Sequence, residues 1–111
     1  MTTEFENIGR LKLFVQRGLL GHVTRNLAAA FAHLEGTRIV VAAYFFDEAT
    51  EKDHEYVEIA ATEVIADFPS GYTIETRYGV LKDMELNSML TCVFLRAEAI
   101  EYVNGKNTHR R

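Results

Sequence analysis

The sequence predicts an α+β fold of order αββαββ, with a four-stranded, largely antiparallel sheet packed by helices. Three observations lead there. Val57, Ala60, Ala61, Val64, Ile65 and Phe68 recur with the period of one helix face, and Pro69 follows them. Residues 37–46, Thr-Arg-Ile-Val-Val-Ala-Ala-Tyr-Phe-Phe, are dense in β-branched and aromatic side chains. Tyr72, Ile74, Thr76, Tyr78 and Val80 alternate with Thr73, Glu75, Arg77 and Gly79, the pattern of a half-buried strand.

Residues 4–17 read as the first helix, with Phe5, Ile8, Leu11, Phe14 and Val15 on its apolar side, and Gly18 and Gly21 bracket its exit. Residues 26–34 are ambiguous. Their alanines favour a helix, but the Glu35-Gly36 turn and the strand beyond favour the first arm of a hairpin, 26–34 with 37–46. Apolar residues fall on both faces of 38–46, as in a central strand covered on two sides. The second helix follows, with Asp47 or Thr50 able to accept from a free first-turn N–H. Pro69 stops it and Ser70-Gly71 turns the chain. After the strand at 72–80, residues 81–88 make a loop and 89–96 the last strand. Residues 1–103 are expected to form one domain and 104–111 a disordered tail.

The chain has 111 residues, 48% of them hydrophobic and 25% charged, which suits a globular domain with its own core. No apolar run is long enough for a membrane span, and the acidic start, Met1-Thr2-Thr3-Glu4-Phe5-Glu6, is unlike a secretion signal. Cys92 is the single cysteine, so no internal disulfide is available and a reducing, cytoplasmic setting is expected. The net charge of −4 understates the acidity of the body. Lys106, Arg110 and Arg111 lie in the last six residues, leaving nine bases against sixteen acids before them.

That acidity concentrates in the second helix. Asp47, Glu48, Glu51, Asp53, Glu55, Glu58, Glu63 and Asp67 face a single base, Lys52. Helices built for solubility tend to interleave opposite charges at i, i+4, and this one forgoes nearly all such pairs. A negative field suits a basic protein and repels nucleic acid.

Sites of other kinds do not assemble. His54 and Glu58 stand four apart, with Glu51 and Glu55 close, but neither HExxH nor a paired Cys/His spacing occurs, so a solvated acidic face is the preferred reading and no metal or cofactor is expected. Residues 47–58 lack the glycine of a calcium loop. Cys92, mid-strand, reads as a small buried hydrophobe, and His22 and His33 as structural histidines. The glycines form no phosphate-binding pattern and the bases no nucleic-acid stripe. The chain is therefore not expected to be an enzyme.

Several segments resemble a group of small bacterial proteins from toxin–immunity loci, including those of contact-dependent growth inhibition. They are Leu20-Gly21-His22-Val23-Thr24-Arg25-Asn26-Leu27, Tyr44-Phe45-Phe46-Asp47 and Ala61-Thr62-Glu63-Val64-Ile65-Ala66-Asp67-Phe68-Pro69. With the last two strands the likeness covers roughly residues 19–97. The group often has proline at the place of Arg25, and a proline-bearing loop at the place of 82–85. The resemblance implies the αββαββ fold, a strand at 26–34 and a binding role: a cytoplasmic immunity protein holding a cognate toxin domain, often a basic nuclease. The contact set expected for that partner is Asp47, Glu48, Glu51, Asp53, Glu55 and Glu58. Two alternatives stand beside it: a small ligand-binding or enzymatic domain with a pocket ringed by His22, His33 or Cys92, and a homo-oligomeric module joined through a sheet edge or face.

Overall fold

The computed structural model describes residues 4–84 and 92–100, with side chains from residue 10 onward. The tail expected at 104–111 and the start of the last strand at 89–91 lie outside the described residues. The elements are α1 (Glu4–Leu19), β1 (Leu27–Glu35), β2 (Arg38–Phe45), α2 (Glu51–Ala66), β3 (Thr73–Val80), a 3-10 turn (Leu81–Asp83) and β4 (Cys92–Leu95). Residues 97–100 are helical. The αββαββ order and the α+β class hold.

The sheet is mixed, in the order β3-β2-β1-β4. β1 pairs antiparallel with β2 and with β4, while β2 pairs in parallel with β3. The last two strands therefore form no hairpin and occupy opposite edges. The cause is the length of α2. Its 16 residues cover about 24 Å, close to the roughly 26 Å of the eight-residue strand before it. The helix carries the chain back to the start of β2, and Thr73 enters the sheet beside Arg38. β1 and β2 lie inside the sheet, which explains apolar residues on both their faces.

Both helices cover one face. Leu11, Val15 and Leu19 of α1 and Val57, Ala60 and Val64 of α2 meet Leu27, Ala30, Ile39, Val41 and Phe45 in the main core. On the other face, Leu81, Met84 and Ala99 pack on Ala28, Ala29 and Phe31. Gly36 turns the first hairpin at φ +65° and Gly21 exits α1 at φ +81°, backbone shapes that a side chain disfavours. Gly18 departs from its expected role at the helix exit. It lies inside α1, buried, where a Cβ would sit 2.8 Å from Val64 Cγ2 and 2.9 Å from the Ala60 carbonyl oxygen. Its smallness is what lets α1 approach α2.

Candidate functional site

α2 starts with a reciprocal cap. Thr50 Oγ1 accepts from the Asp53 N–H at 3.1 Å, and the Asp53 carboxylate accepts from the Thr50 N–H at 2.9 Å. Of the two N-cap candidates, Thr50 holds the position. The same Asp53 oxygen accepts from Asn26 Nδ2 at 2.9 Å. Asn26 then grips the chain leading into the helix: its Oδ1 accepts from the Asp47 N–H at 2.9 Å and its Nδ2 donates to the Asp47 carbonyl at 3.0 Å. Two of the segments that carry the family likeness, 20–27 and 44–47, thus meet through one amide side chain.

Asp53 consequently differs from the other five acids of the expected contact set. It is buried, with 4% of its surface exposed, and it faces inward. Burial alone would raise its pKa. The hydrogen bonds from the Thr50 backbone and Asn26 outweigh that and hold the carboxyl below its ordinary range.

Asp47, Glu48, Glu51, Glu55 and Glu58 are all exposed. Among the described residues, no Lys or Arg forms an ion pair with any of them. Arg25 lines the open groove beside Asp47 and Glu48 without pairing with either, and Lys52 lies over the Tyr56 ring, 5.8 Å from its centre. Arginines do meet acids on the opposite face of the sheet. There Arg38 joins Glu35 and Glu75, and Arg77 Nε donates to Glu75 at 2.7 Å. Among the described residues, charge is sorted by face: Arg pairs with acids away from α2, and on α2 no Lys or Arg does, with His22 standing 3.9 Å from Glu63.

Glu58 also works within the fold. Thr76 Oγ1 donates to its carboxylate at 2.6 Å, and the Tyr78 hydroxyl donates to the same oxygen. Those two bonds hold Glu58 below the usual carboxylate range. Burial and the neighbouring carboxylate push the Tyr78 phenol up to about 12. The His54 ring lies 4.2 Å from that of Tyr78. His54 and Glu58, four apart on the helix, are thus each engaged with β3.

A model of the MafI2 immunity protein family matches residues 9–98. The chain belongs to that family. Its classification is that of an immunity protein and not of a catalytic domain, and membership implies a cognate toxin as partner. None of the curated proteins matches the chain.

The matched span of this MafI2 family member includes every residue of the acidic surface. Sequence reasoning passed over Asn26, Thr76, Tyr78 and Ile59 as parts of that surface. Ile59 is 39% exposed on α2, between Glu55 and Glu63 at i−4 and i+4 and next to Glu58. Its signal was available: it falls outside the apolar stripe of the helix. Asn26 had no local signal, because its partners lie more than twenty residues away. The residues proposed for a pocket do not converge. His22 Nδ1 lies 3.0 Å from the Gly18 carbonyl oxygen, His33 pairs with Glu35, and Cys92 packs on the face away from α2, where burial pushes its thiol up.

Proposed function

We propose that this immunity protein captures its cognate toxin domain through the acidic surface at the start of α2, and that the toxin is a basic nuclease. One observation carries the reading: Asp47, Glu48, Glu51 and Glu55 are exposed and, among the described residues, unpaired with any base. A nuclease cleft must be positive to hold phosphates. Carboxylates spaced along the lead-in to α2, where Asp47 and Glu48 lie before the helix and not in it, and along its first turns can occupy such a cleft in place of phosphate and exclude the substrate. Ile59, apolar and ringed by acids, has the form of a central anchor inside a polar rim. A nuclease is dangerous where nucleic acid is, so the proposal places the inhibitor in the cytoplasm.

The test is stopped-flow association with the cognate toxin domain across a salt series. Wild-type association should fall steeply with salt. Reversing Asp47, Glu51 and Glu55 to lysine should lower the low-salt rate at least about tenfold and flatten the slope. Ile59→Ala should instead speed dissociation and leave the association rate intact. An association rate untouched by both salt and charge reversal would discard the proposal.

A further inference from the structure

The acidic face of α2 ends at a sheet edge that is open among the described residues. β3 has β2 on one side and, among the described residues, no strand on the other. The Thr73 N–H donates to the Thr37 carbonyl at 3.0 Å, and the register of β3 with β2 runs unbroken over eight pairs. Backbone groups alternate in direction along a strand. Thr73, Glu75, Arg77 and Gly79 therefore bond to β2, and the N–H and C=O groups of Ile74, Thr76 and Tyr78 point outward.

Natural sheets guard such edges with short strands, prolines, bulges, lysines or a covering segment. β3 is eight residues long, regular, and free of proline and lysine. Its single cation, Arg77, is tied to Glu75 on the face away from α2. On the helix side, Glu58 reaches down to Thr76 and Tyr78, so a carboxylate stands over two of these three outward-facing positions.

We propose that the β3 edge receives an extended segment of the toxin, added to the sheet as a further strand with basic side chains on the face toward α2. The proposal rests on the acidic-capture reading for the identity of the partner and adds the mode of docking. A strand pairing there would run about 4.8 Å outside β3. A lysine or arginine on its α2-facing side would then meet Glu58, with Glu55 one turn away on the helix. Charge complementarity selects this occupant over a second copy of the chain. Two-fold pairing of β3 with itself would bring two acidic α2 helices side by side, like charge against like.

Amide hydrogen exchange on the full chain, free and saturated with the cognate toxin domain, tests the pairing directly. The Thr76 and Tyr78 amides should exchange fast in the free protein and at least a hundredfold more slowly in the complex. Thr76→Pro removes an outward N–H without touching the β2 ladder, as proline is tolerated at a solvent-facing edge position. It should weaken toxin binding at least tenfold with an unchanged circular dichroism spectrum. Thr76→Val, which keeps the N–H and loses only the hydroxyl, should weaken it less than threefold. Amides still fast in the saturated complex overturn the proposal. So do amides already slow in free protein that light scattering shows to be dimeric. Fast amides combined with a steep salt dependence of association would remove the strand and leave acidic capture standing; slow amides with no salt dependence would do the reverse.

Discussion

Replacing Asp53 with alanine should cost the fold about 3 kcal/mol and leave toxin capture intact. The carboxylate accepts two hydrogen bonds, from the Thr50 N–H and from Asn26 Nδ2, both at 2.9 Å. Bonds to a charged acceptor contribute about 1.5–3 kcal/mol each. Thr50 is exposed and Asn26 half-buried, so water can partly replace the lost acceptor, which favours the lower end for each. Thr50 Oγ1 still accepts from the backbone of residue 53, so half of the cap survives. For a domain of about 100 residues, 3 kcal/mol corresponds to a fall in Tm of about 12–24 °C. Urea unfolding followed by circular dichroism gives the number. A loss below about 1 kcal/mol would refute the view that this carboxylate ties the start of β1 to the start of α2.

The sign of the pH dependence is fixed by the same geometry. The folded-state pKa of Asp53 lies below its ordinary value of 3.8. Its stabilising contribution is therefore fully present above the unfolded pKa and is lost as pH falls through the folded one. The stability gap between wild type and Asp53→Asn should be widest above about pH 5 and close on acidification. Because Asp53 is buried, neither variant should change the salt slope of toxin association at a temperature where it is folded.

Gly18→Ala should destabilise by roughly 1 kcal/mol in the same urea assay, since overpacking against the Ala60 carbonyl and Val64 costs about 1–3 kcal/mol and the gain in helix propensity is about 1; a stabilised variant would refute the close approach of α1 to α2. Ultraviolet titration should show a tyrosine ionisation near pH 12 that is lost in Tyr78→Phe. The raised folded pKa makes Tyr78 favour the folded state below pH 10, an advantage that drains away as pH rises from 10 toward 12. Salt should act oppositely on the two states of the protein. Raising it from 10 to 200 mM should stabilise the free chain by relieving repulsion along α2 and weaken the toxin complex; equal signs would contradict the surface described.

Local chemistry made much of this fold legible. The helical period at 57–68, the Glu35-Gly36 turn and the alternation at 72–80 each depend on near neighbours, and each element stands within a few residues of its expected place. The partner of β3 was not legible in that way. Alternation says which face of a strand is buried and is silent on which strand lies beside it. The length of α2 held the missing information. Composition groups Asp53 with its acidic neighbours, because it treats every acid on a helix as solvated. Its spacing from Thr50, threonine followed three residues later by an acid, was the sign of a capping role. Gly18 looked like a helix terminus because glycine disfavours helices, yet contact with α2 overrode that preference.

In the proposed capture, the sorting of charge by face is what would link the fold to its partner. Glu51 with Glu55, Glu55 with Glu58, and Glu63 with Asp67 are like-charged neighbours three or four residues apart, each costing about 0.2–0.5 kcal/mol. No base stands in the last turn of α2 to answer the helix dipole. The chain does contain arginines able to relieve this, and the fold commits Arg38 and Arg77 to Glu35 and Glu75 on the far face. What holds the repelling helix in place is apolar and local: Val57, Ala60, Ala61 and Val64 are buried beneath it, and the Asn26–Asp53–Thr50 cluster fixes its first turn. Rigidity of the support and lack of compensation on the surface are therefore two halves of one arrangement. A flexible acidic segment would lose entropy on docking, and a rigid but neutralised one would attract nothing. Under the proposed capture, a rigid helix whose charges repel each other would meet neither cost, and Glu58 extends that acidic surface to the edge of β3 that no other strand covers among the described residues.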